Sequence, residues 1–486
     1  MQIISYTLNL TLTIFVSILI LFSGPHSHAE NTSIPIERRT KTVQIINKSL
    51  PSVAAIQTFK ESGTKGIYNI QAGSASVIHE AGYLLTNEHV VSEIIQGNAT
   101  LYGDSPKNFE VIATMKSEDL AIIKIDSEKK LPKIPIGRSN DLLLGEPVIT
   151  IGNPGGLNHS ISKGIISGLN RSTSTGAAFL PWMIQTSAAV SGGNSGGPLI
   201  NALGQQIGTI TSKQMGSENI NFAIAMDRVR EVLPTLLSPE LRYGYWLGIE
   251  VDMYAKTAKV KSITDKSPAQ FSGIIPGDEI KSINGIKISD PFDFQFEIIG
   301  FRPKQQITLE VLRKTETLNI DITIGELELI KPIPQQELDK GLTYKLFKGE
   351  WSKLPEFSSL TPIDSGTVKV PSAKIENLEI VDQYALGFDG YLKIKNEGFY
   401  TFSLSSDDGS QFIIGDKLLI NNDGLHSFMA LEGRIRLPKG TFPIRVAFFE
   451  NSGDQKLELR YEGPGIKMQP IPEDVFFFKK IKQINE

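Results

Sequence analysis

Short apolar segments separated by turn residues dominate the pattern of hydrophobic and polar positions along most of the chain. Between about Val43 and Met226 these segments are rich in Val, Ile and Thr, and Gly, Asn and Asp fill the gaps, which predicts β-strands. The clearest predicted strands are Ser74–Ile78, Gly82–Thr86, Leu120–Ile125, Pro147–Ile151 and Gln206–Thr211. Because no helical pattern alternates with them, they predict an all-β barrel unit. Asp227–Leu237 is a predicted closing helix with Asp227 as its N-cap.

Two further units follow this first one. Tyr243–Gly325 combines strands with a small-residue helix at Ser267–Ser272 and a hairpin signal at Asn284-Gly285. Glu326–Lys340 contains several prolines and polar residues and is predicted to be a linker. From Gly341 to about Lys480 the chain is again predicted to be all-β. The predicted fold class is therefore mainly β, with domains at residues 36–240, 243–325 and 341–480 and the linker at 326–340.

The N-terminal segment differs from the rest of the chain. Leu8 to Phe22 is almost wholly apolar, Gly24-Pro25 breaks any helix, and Ser27-His28-Ala29 offers small residues at the spacing of a signal-peptidase site. We predict a signal peptide at residues 1–29 and an exported protein, in the periplasm or at the cell surface or beyond. Since no Lys or Arg precedes the apolar run, an uncleaved N-terminal membrane anchor is the alternative.

Composition narrows the possible chemistry. The chain has 486 residues, a formal net charge of −4 and no cysteine. The absence of cysteine excludes disulfides, thiolate nucleophiles and cysteine-based zinc sites, so any nucleophile must be an oxygen or an amine. Lys and Arg are distributed along the whole chain rather than gathered in a basic stripe, so no nucleic-acid partner is predicted.

Three short segments carry the residue types that peptide hydrolysis by serine requires. His89 follows a predicted strand, Asp119 leads directly into another, and Ser195 lies in the glycine-rich segment Gly192–Leu199. A serine hydroxyl needs a base, the base needs an acid that orients it, and the oxyanion needs donors. The flanking glycines would let the amides of Gly193, Asn194 and Ser195 form that oxyanion hole. The order His, Asp, Ser at strand ends of one all-β unit predicts a catalytic triad.

Five blocks of this region resemble successive signature blocks of HtrA/DegP proteases: Gly82–Val91, Asp119–Lys124, Ile151–Pro154, Gln185–Leu199 and Asn221–Ile224. The resemblance implies a chymotrypsin-like double β-barrel, with the triad in the cleft between barrels. It also implies an endopeptidase that acts on unfolded proteins or peptides, needs no cofactor for proteolysis and assembles as a homo-oligomer, usually a trimer. In this resemblance Ala189 and Val190 line the specificity pocket. Because they offer no carboxylate, cleavage after small or medium aliphatic residues is expected.

The second unit resembles the PDZ domain that follows HtrA protease domains. The similarity rests on Tyr245–Ile249, Ser267–Ala269 and Ile275–Ile280. It implies that a peptide pairs with a sheet edge and that amides near Leu247-Gly248 receive its C-terminal carboxylate. The implied peptide-binding residues are Trp246, Leu247, Gly248 and Ile249. The alternative is that these residues form only a turn and a core strand.

The third unit resembles the protective-antigen-type (PA-fourteen) β-barrel of bacterial toxins, glycosidases and adhesins. Phe399–Phe402, Ser405–Ser410 and Leu419–Gly424 carry this similarity. In lectin members a cis peptide brings two adjacent Asp residues onto one calcium ion. The resemblance therefore implies Asp407 and Asp408 as calcium ligands, Asn422 as a third oxygen donor and glycans as partners. The alternative is that Asp408-Gly409 is a hairpin turn without metal.

Two other functions compete with the protease. The first is a non-catalytic chaperone or carbohydrate-binding adhesin scaffold on a degenerate protease fold, against which the complete triad argues. The second is a glycosidase centred on the last domain. Asp407 and Asp408 are adjacent in sequence, whereas paired glycosidase carboxylates lie farther apart.

Overall fold

The computed structural model of the chain describes residues 36–61, 68–153, 159–175, 178–213, 220–376 and 380–479. The predicted signal peptide, residues 1–29, lies outside these residues. Within the described ranges no helix is both long and apolar enough to cross a membrane. The described part begins with a 3-10 turn at Ile36–Arg38 and helix α1 (Lys41–Ser49).

Six antiparallel strands close into a first barrel in the order β1-β2-β3-β6-β5-β4. They are β1 (Val53–Glu61), β2 (Tyr68–His79), β3 (Tyr83–Thr86), β4 (Gln96–Leu101), β5 (Lys107–Met115) and β6 (Leu120–Ile125). Ile56, Val77, Leu84 and Ile123 fill its core. The three strands predicted in this region are confirmed. A short helix, α2 (Glu88–Val91), follows β3.

A second closed barrel has the strand order β10-β11-β12-β9-β8-β7. Its strands are β7 (Pro147–Gly152), β8 (Ser160–Thr175), β9 (Ala178–Thr186), β10 (Pro198–Ile200), β11 (Gln206–Lys213) and β12 (Asn221–Ala225). Helix α3 (Met226–Leu237) follows, as predicted, but its N-cap residue is Ala225, so the prediction of Asp227 as the cap is wrong. Asp227 instead lies in the first helical turn, where its carboxylate accepts from the Ser139 N–H and pairs with Arg138 at 3.2 Å.

Helix α4 (Pro239–Tyr243) leads into the middle domain, in which short sheets surround two helices. Its elements are β13 (Tyr245–Trp246), β14 (Ile249–Val251), β15 (Val260–Ile263), α5 (Pro268–Phe271), β16 (Glu279–Ile283), β17 (Ile286–Lys287), α6 (Pro291–Glu297), β18 (Gln306–Arg313), β19 (Glu316–Thr323) and β20 (Gly325–Glu326). Asn284 and Gly285 join β16 to β17 with φ values of 49° and 79°. Two positive φ values define the type I′ turn, so the predicted hairpin is confirmed.

The C-terminal domain packs an eight-stranded sheet against a four-stranded one. The strands are β21 (Leu338–Lys340), β22 (Leu342–Lys348), β23 (Asp364–Val368), β24 (Tyr384–Ile394), β25 (Gly398–Asp407), β26 (Ser410–Ile414), β27 (Lys417–Asn422), β28 (Met429–Leu437), β29 (Gly440–Glu450), β30 (Lys456–Gly463), β31 (Ile466–Pro470) and β32 (Phe476–Lys479). Phe402 and Phe412, one from each sheet, lie 5.1 Å apart between ring centroids in the shared core. Leu338–Lys340, at the end of the predicted linker, pairs with β32 and so belongs to this sheet.

Both later domains pack directly on the barrels. One apolar core continues from α3 into the middle domain, where the Phe296 ring of α6 stacks on Tyr83 of the first barrel. The C-terminal domain contacts the end of β5 and the 3-10 turn that precedes β6. There Arg434 donates to the Thr114 carbonyl at 2.9 Å, and the Lys116 N–H donates to the Glu432 carboxylate at 3.1 Å.

Candidate active site

Pairing of β3 with β6 brings His89 and Asp119 together. Thr86 lies opposite Ala121 in this pair, and the two functional residues are close to these positions in the chain. Asp119 adopts a left-handed conformation, with φ of 51°, at the end of the turn before β6. His89 Nδ1 lies 2.8 Å from Asp119 Oδ1 and 3.0 Å from Oδ2, and the His89 backbone N–H donates to Oδ1 at 3.1 Å. The buried carboxylate therefore fixes both the ring and the backbone of His89.

Two further residues anchor Asp119. The Thr211 hydroxyl, from β11 of the second barrel, donates to Asp119 Oδ2. The Asn87 side-chain amide donates to the Asp119 carbonyl at 2.9 Å. The Thr211 hydroxyl and the contacts of His89 together satisfy the carboxylate of Asp119, a residue that is only 3% exposed, as a buried charge requires.

The surroundings of His89 favour its protonated form. Burial lowers the pKa of His89, but the hydrogen bond and the negative charge of Asp119 outweigh burial, so the pKa is raised overall. The neighbouring Glu88 is also perturbed. Burial and the charge of Asp119 raise the pKa of Glu88 to about 7. A carboxylate that titrates near neutrality therefore stands beside the candidate base.

Ser195 lies in a tight turn between β9 and β10, which we call the nucleophile turn (residues 191–197). The Asn194 N–H donates to the Ser191 carbonyl at 3.0 Å, and Gly193 has φ of +103°. A four-residue turn closed in this way, with positive φ at its third residue, is of type II and favours glycine there. The Gly193 carbonyl accepts from the Ser74 hydroxyl at 2.7 Å, which orients the peptide that follows it.

The first barrel holds the nucleophile turn closely. The Ser74 N–H donates to the Ser195 carbonyl at 2.8 Å. A Cβ atom on Gly196, where φ is +85°, would lie 2.0 Å from the Ser74 carbonyl oxygen. Only glycine fits at this position, so the predicted need for glycines in the turn has a steric reason here as well as a conformational one.

The three predicted oxyanion-hole amides are not equivalent. Asn194 uses its N–H inside the turn. For Gly193 and Ser195 the structure records no hydrogen bond from the backbone N–H to any described residue. These two N–H groups are therefore the pair that can donate to a substrate oxyanion.

The Ser195 side chain adopts a particular resting orientation. Its Oγ donates to the Thr211 carbonyl at 3.0 Å, and within the described part of the chain no hydrogen bond joins it to His89. Hydrogen bonds between catalytic groups are often long or absent without substrate and form in the complex. Thr211 thus contacts the acid through its hydroxyl and the serine through its carbonyl.

The predicted specificity residues precede the nucleophile turn. Ala189 is exposed, and Val190 packs against the core of the second barrel. The Asn221 side-chain amide donates to the Ala188 carbonyl at 2.9 Å and fixes this segment. No charged side chain contributes to these contacts.

Sequence reasoning missed Thr211, Ser74 and Asn87. Thr211 ends a strand that was predicted, and Ser74 begins one, but neither carried a motif that singled it out. Asn87 lies in the polar turn before His89, where a side-chain amide is ordinary turn chemistry. Their roles depend on partners that lie between 32 and 119 residues away along the chain.

In the middle domain the predicted peptide-binding residues form the loop between β13 and β14, which we call the carboxylate loop (residues 246–249). Leu247 is buried, Trp246 is half-buried, and Ile249 begins β14. The N–H groups of Leu247 and Gly248 donate to Glu240 Oε1 at 2.8 Å and 2.9 Å. These amides thus point towards a carboxylate that belongs to the chain itself.

The predicted calcium ligands lie at the end of β25. The peptide bond between Asp407 and Asp408 is cis, the conformation that the resemblance implied. Asp408 accepts from the backbone N–H groups of His426 at 3.0 Å and Asn451 at 3.1 Å. The buried Asn422 donates its side-chain amide to the Ser406 hydroxyl at 3.0 Å, so its amide group is already partly engaged.

The carboxylates of Asp407, Asp408 and Glu450 lie close enough together for their charges to interact. Burial, followed by the charges of Asp408 and Asp407, raises the pKa of the nearby Glu450 to about 8. Burial and Asp408 also raise the pKa of Asp407. Carboxylate oxygens suit calcium. Among the described residues, however, no group of three His, Asp or Glu side chains is arranged to hold a metal. Carbonyl or water oxygens would have to complete the coordination.

Comparison with known proteins agrees with this geometry. Residues 73–208 match the trypsin-like peptidase domain family, residues 246–324 the PDZ domain family and residues 343–474 the PA14 domain family. The two closed barrels and the His, Asp and Ser residues at their junction thus agree with the sequence match. Both indicate the class of trypsin-like peptidases.

Relatives among known proteins match a little more than half of this chain. A probable periplasmic serine endoprotease DegP-like of Pseudomonas putida is 33% identical over 270 residues, which are 52% of this chain and 56% of that protein. Protease Do-like 1, chloroplastic, of Arabidopsis thaliana is 32% identical over 316 residues, which are 58% of this chain and 71% of that protein. The chain thus spans only slightly more than half the length of the Pseudomonas relative.

A solved structure, the HtrA-type protease AlgW with a tripeptide, is 32% identical and is aligned over 98% of its length and 60% of this chain, with a TM-score of 0.37. Because the Arabidopsis relative is 32% identical and is matched over 71% of its length, the chain belongs to the HtrA/DegP family of serine endoproteases.

Proposed function

We propose that this protein is an endopeptidase that cleaves unfolded or damaged proteins of the cell envelope or the extracellular space. The observation that carries the proposal is the contact of His89 with Asp119 at 2.8 Å where the two barrels meet, with Ser195 bound to the same Thr211 that contacts Asp119. The Asp119–Thr211 contact joins the two barrels at this point. The site therefore forms only when the two barrels keep this relative position.

The chemistry follows from these positions. Ser195 Oγ leaves the Thr211 carbonyl, attacks the scissile carbonyl carbon and passes its proton to His89 Nε2. Asp119 stabilises the imidazolium that forms. The N–H groups of Gly193 and Ser195 bind the oxyanion. His89 then protonates the leaving amine as the C–N bond breaks, and water attacks the acyl-enzyme by the same route in reverse.

Degradation of β-casein by the purified protein tests the proposal. Ser195→Ala should lower turnover by about 10⁴-fold or more, because the triad residues act as one unit. Ser172→Ala is the matched control, since Ser172 is exposed on β8. If the wild type degrades no more casein than Ser195→Ala, and neither exceeds a protein-free control, the alternative of a non-catalytic chaperone or adhesin scaffold replaces the peptidase. The Ser195–Thr211 hydrogen bond is the feature that favours this alternative.

The other domains extend the proposal. The PDZ domain captures peptide C-termini at the carboxylate loop, and cleavage follows small or medium aliphatic residues, as the uncharged Ala189 and Val190 favour. A periplasmic location is supported by the name of the Pseudomonas relative, whereas the cell-surface alternative and the trimeric state are expectations from the sequence alone. Sedimentation of the purified Ser195→Ala protein measures the oligomeric state directly.

Binding of calcium, and with it of glycans, is a second candidate function for the C-terminal domain. The crowding of Asp407, Asp408 and Glu450 supports it, because a divalent cation relieves repulsion between buried carboxylates. Asp407 and Asp408 would hold the ion, which would offer open positions to sugar hydroxyls.

The full-length Ser195→Ala protein should then melt at higher temperature with millimolar calcium, by ligand linkage. Replacing Asp407 and Asp408 together by Asn should remove the shift, whereas Asp416→Asn, on the exposed turn between β26 and β27, should keep it. Equal shifts with calcium and magnesium, together with no retention on a glycan array, would favour a structural domain.

A further inference from the structure

The carboxylate loop of the PDZ domain is engaged by the protein's own Glu240. Both donors, the Leu247 and Gly248 N–H groups, reach the same oxygen, Glu240 Oε1, at 2.8 Å and 2.9 Å. Two backbone N–H groups that converge on one carboxylate oxygen make charge-assisted hydrogen bonds. This is the chemistry by which the loop would receive the C-terminal carboxylate of a peptide.

Other contacts hold the carbonyl side of the loop, so its two N–H groups are the part that can bind a carboxylate. The Leu247 carbonyl accepts from the Ala269 N–H at 3.1 Å, and the Gly248 carbonyl accepts from the Thr264 N–H at 2.9 Å. Gly248 has φ of +79°, and a Cβ atom there would lie 2.2 Å from the Ser267 Cβ. The loop is therefore rigid, and its N–H groups keep their direction whichever carboxylate they meet.

We propose that Glu240 is an internal competitor for this loop, so that a peptide C-terminus binds only when the Glu240 side chain has rotated away. The inference rests on the proposed capture of C-termini by the PDZ domain. Glu240 is half-buried on α4, the helix that joins the second barrel to the PDZ domain. Side-chain rotation is enough to expose the amides, and no backbone movement is required.

The C-terminal domain holds α4 in the position that presents Glu240. Arg436 of β28 donates to the Arg242 carbonyl at 3.0 Å. The Arg242 guanidinium lies over the ring of Phe399, 4.4 Å from its centroid. Glu240 and Arg242 are two residues apart, so one short helix contacts the carboxylate loop with one side chain and the PA14 domain with another. The third domain thereby stabilises the competitor.

Competition weakens the apparent affinity of the loop by the fraction of time that it is free. If the loop is free about one tenth of the time, removing Glu240 should tighten binding about tenfold. The gain applies only to ligands that present a free carboxylate, because an amidated C-terminus does not compete for the same charge-assisted contacts.

The test measures fluorescence anisotropy of a short labelled peptide with a free C-terminal Val, beside its amidated form, on full-length protein that carries Ser195→Ala. Glu240→Ala should bind the free peptide about tenfold more tightly, and the isosteric Glu240→Gln should show a smaller gain in the same direction. Glu316→Gln removes the same charge from an exposed position on β19 and should change nothing. The amidated peptide should bind all variants alike.

The outcomes separate the inference from the function beneath it. If wild type prefers the free peptide and neither Glu240 variant binds it more tightly, the competitor role is wrong and C-terminal capture stands. If no variant distinguishes the free from the amidated peptide, capture by the PDZ domain fails and the competitor role fails with it.

Discussion

Two loops of this protein direct a pair of backbone N–H groups towards a negatively charged oxygen, and they differ in what meets those groups. In the nucleophile turn, the N–H groups of Gly193 and Ser195 make no hydrogen bond to the described residues. In the carboxylate loop, those of Leu247 and Gly248 bind Glu240. Both loops contain a glycine with positive φ, +103° at Gly193 and +79° at Gly248.

The difference shows that local backbone shape makes an anion site, while distant residues decide its availability. Ser74 of the first barrel binds the carbonyl side of the nucleophile turn and thereby leaves its amides to the substrate. Glu240 binds the amide side of the carboxylate loop, where we propose that it competes with a peptide C-terminus. In these proposals the nucleophile turn can bind substrate directly, whereas the carboxylate loop can bind a peptide only after the Glu240 side chain has moved away.

The strongest way to break the first site is Gly196→Ala. A Cβ atom 2.0 Å from the Ser74 carbonyl oxygen, at a φ of +85°, forces the nucleophile turn to move. We expect hydrolysis of a chromogenic peptide to fall by about 100-fold or more, comparable with the loss of an oxyanion donor. Gly192→Ala is the control, since a Cβ atom there meets nothing within 4 Å. Equal activity of the two variants would contradict the tight fit of the turn.

The corresponding change in the second site is Gly248→Ala, where the added Cβ meets Ser267. Affinity for a free C-terminal peptide should fall about tenfold or more, because hydrogen bonds to a charged group contribute about 1.5–3 kcal/mol each. Chromogenic-peptide turnover should stay near wild type. Gly300→Ala, with open space around its Cβ, serves as the control. If Gly248→Ala binds as well as the control, the carboxylate does not enter this loop.

Thr211→Val tests the link between the barrels. It removes the hydroxyl that donates to Asp119 and keeps the carbonyl that accepts from Ser195. A hydrogen bond to a charged group contributes about 1.5–3 kcal/mol, and the part of it that is lost in the transition state should lower kcat by about tenfold. Thr211→Ser, which retains the hydroxyl, should restore most of the activity. A Ser variant as impaired as Val would mean that packing, rather than the hydrogen bond, matters here.

The smallest expected effect is a shift in pH dependence on Glu88→Gln. Only neutral His89 can accept the serine proton, so kcat/KM rises with pH through the pKa of His89. Because that pKa is raised, the acidic limb should lie at higher pH in the wild type than an ordinary histidine would place it. Glu88 is one of the negative charges that raise it, so its removal should move the limb to lower pH. A limb that moves to higher pH, or stays in place, would remove Glu88 from the electrostatics of the site.

Much of the fold could be predicted because its signals are local. Segments rich in Val, Ile and Thr, separated by turn-forming Gly, Asn and Asp, predicted β3, β6 and β11 within a few residues of their observed bounds. The Asn284-Gly285 turn followed from the φ preferences of two adjacent residues. The prediction of Asp227 as the N-cap was wrong. Tertiary packing brings Arg138 and Ser139 close to Asp227, and they bind its carboxylate instead.

The sequence by itself determined which chemical groups are present. It supplies a His, an Asp and a Ser in an order that fits one mechanism, and it has glycines at positions where the backbone adopts positive φ. The tertiary structure alone decided which groups meet. Thr211 and Asp119 are separated by 92 residues, and only the juxtaposition of two barrels brings them into contact. Glu240 lies close to the carboxylate loop in sequence, but its proposed role depends on the orientation of α4 and on the C-terminal domain that contacts this helix. Hydrogen-bond partners are fixed by distance in space, and residue type at one position carries no record of that distance.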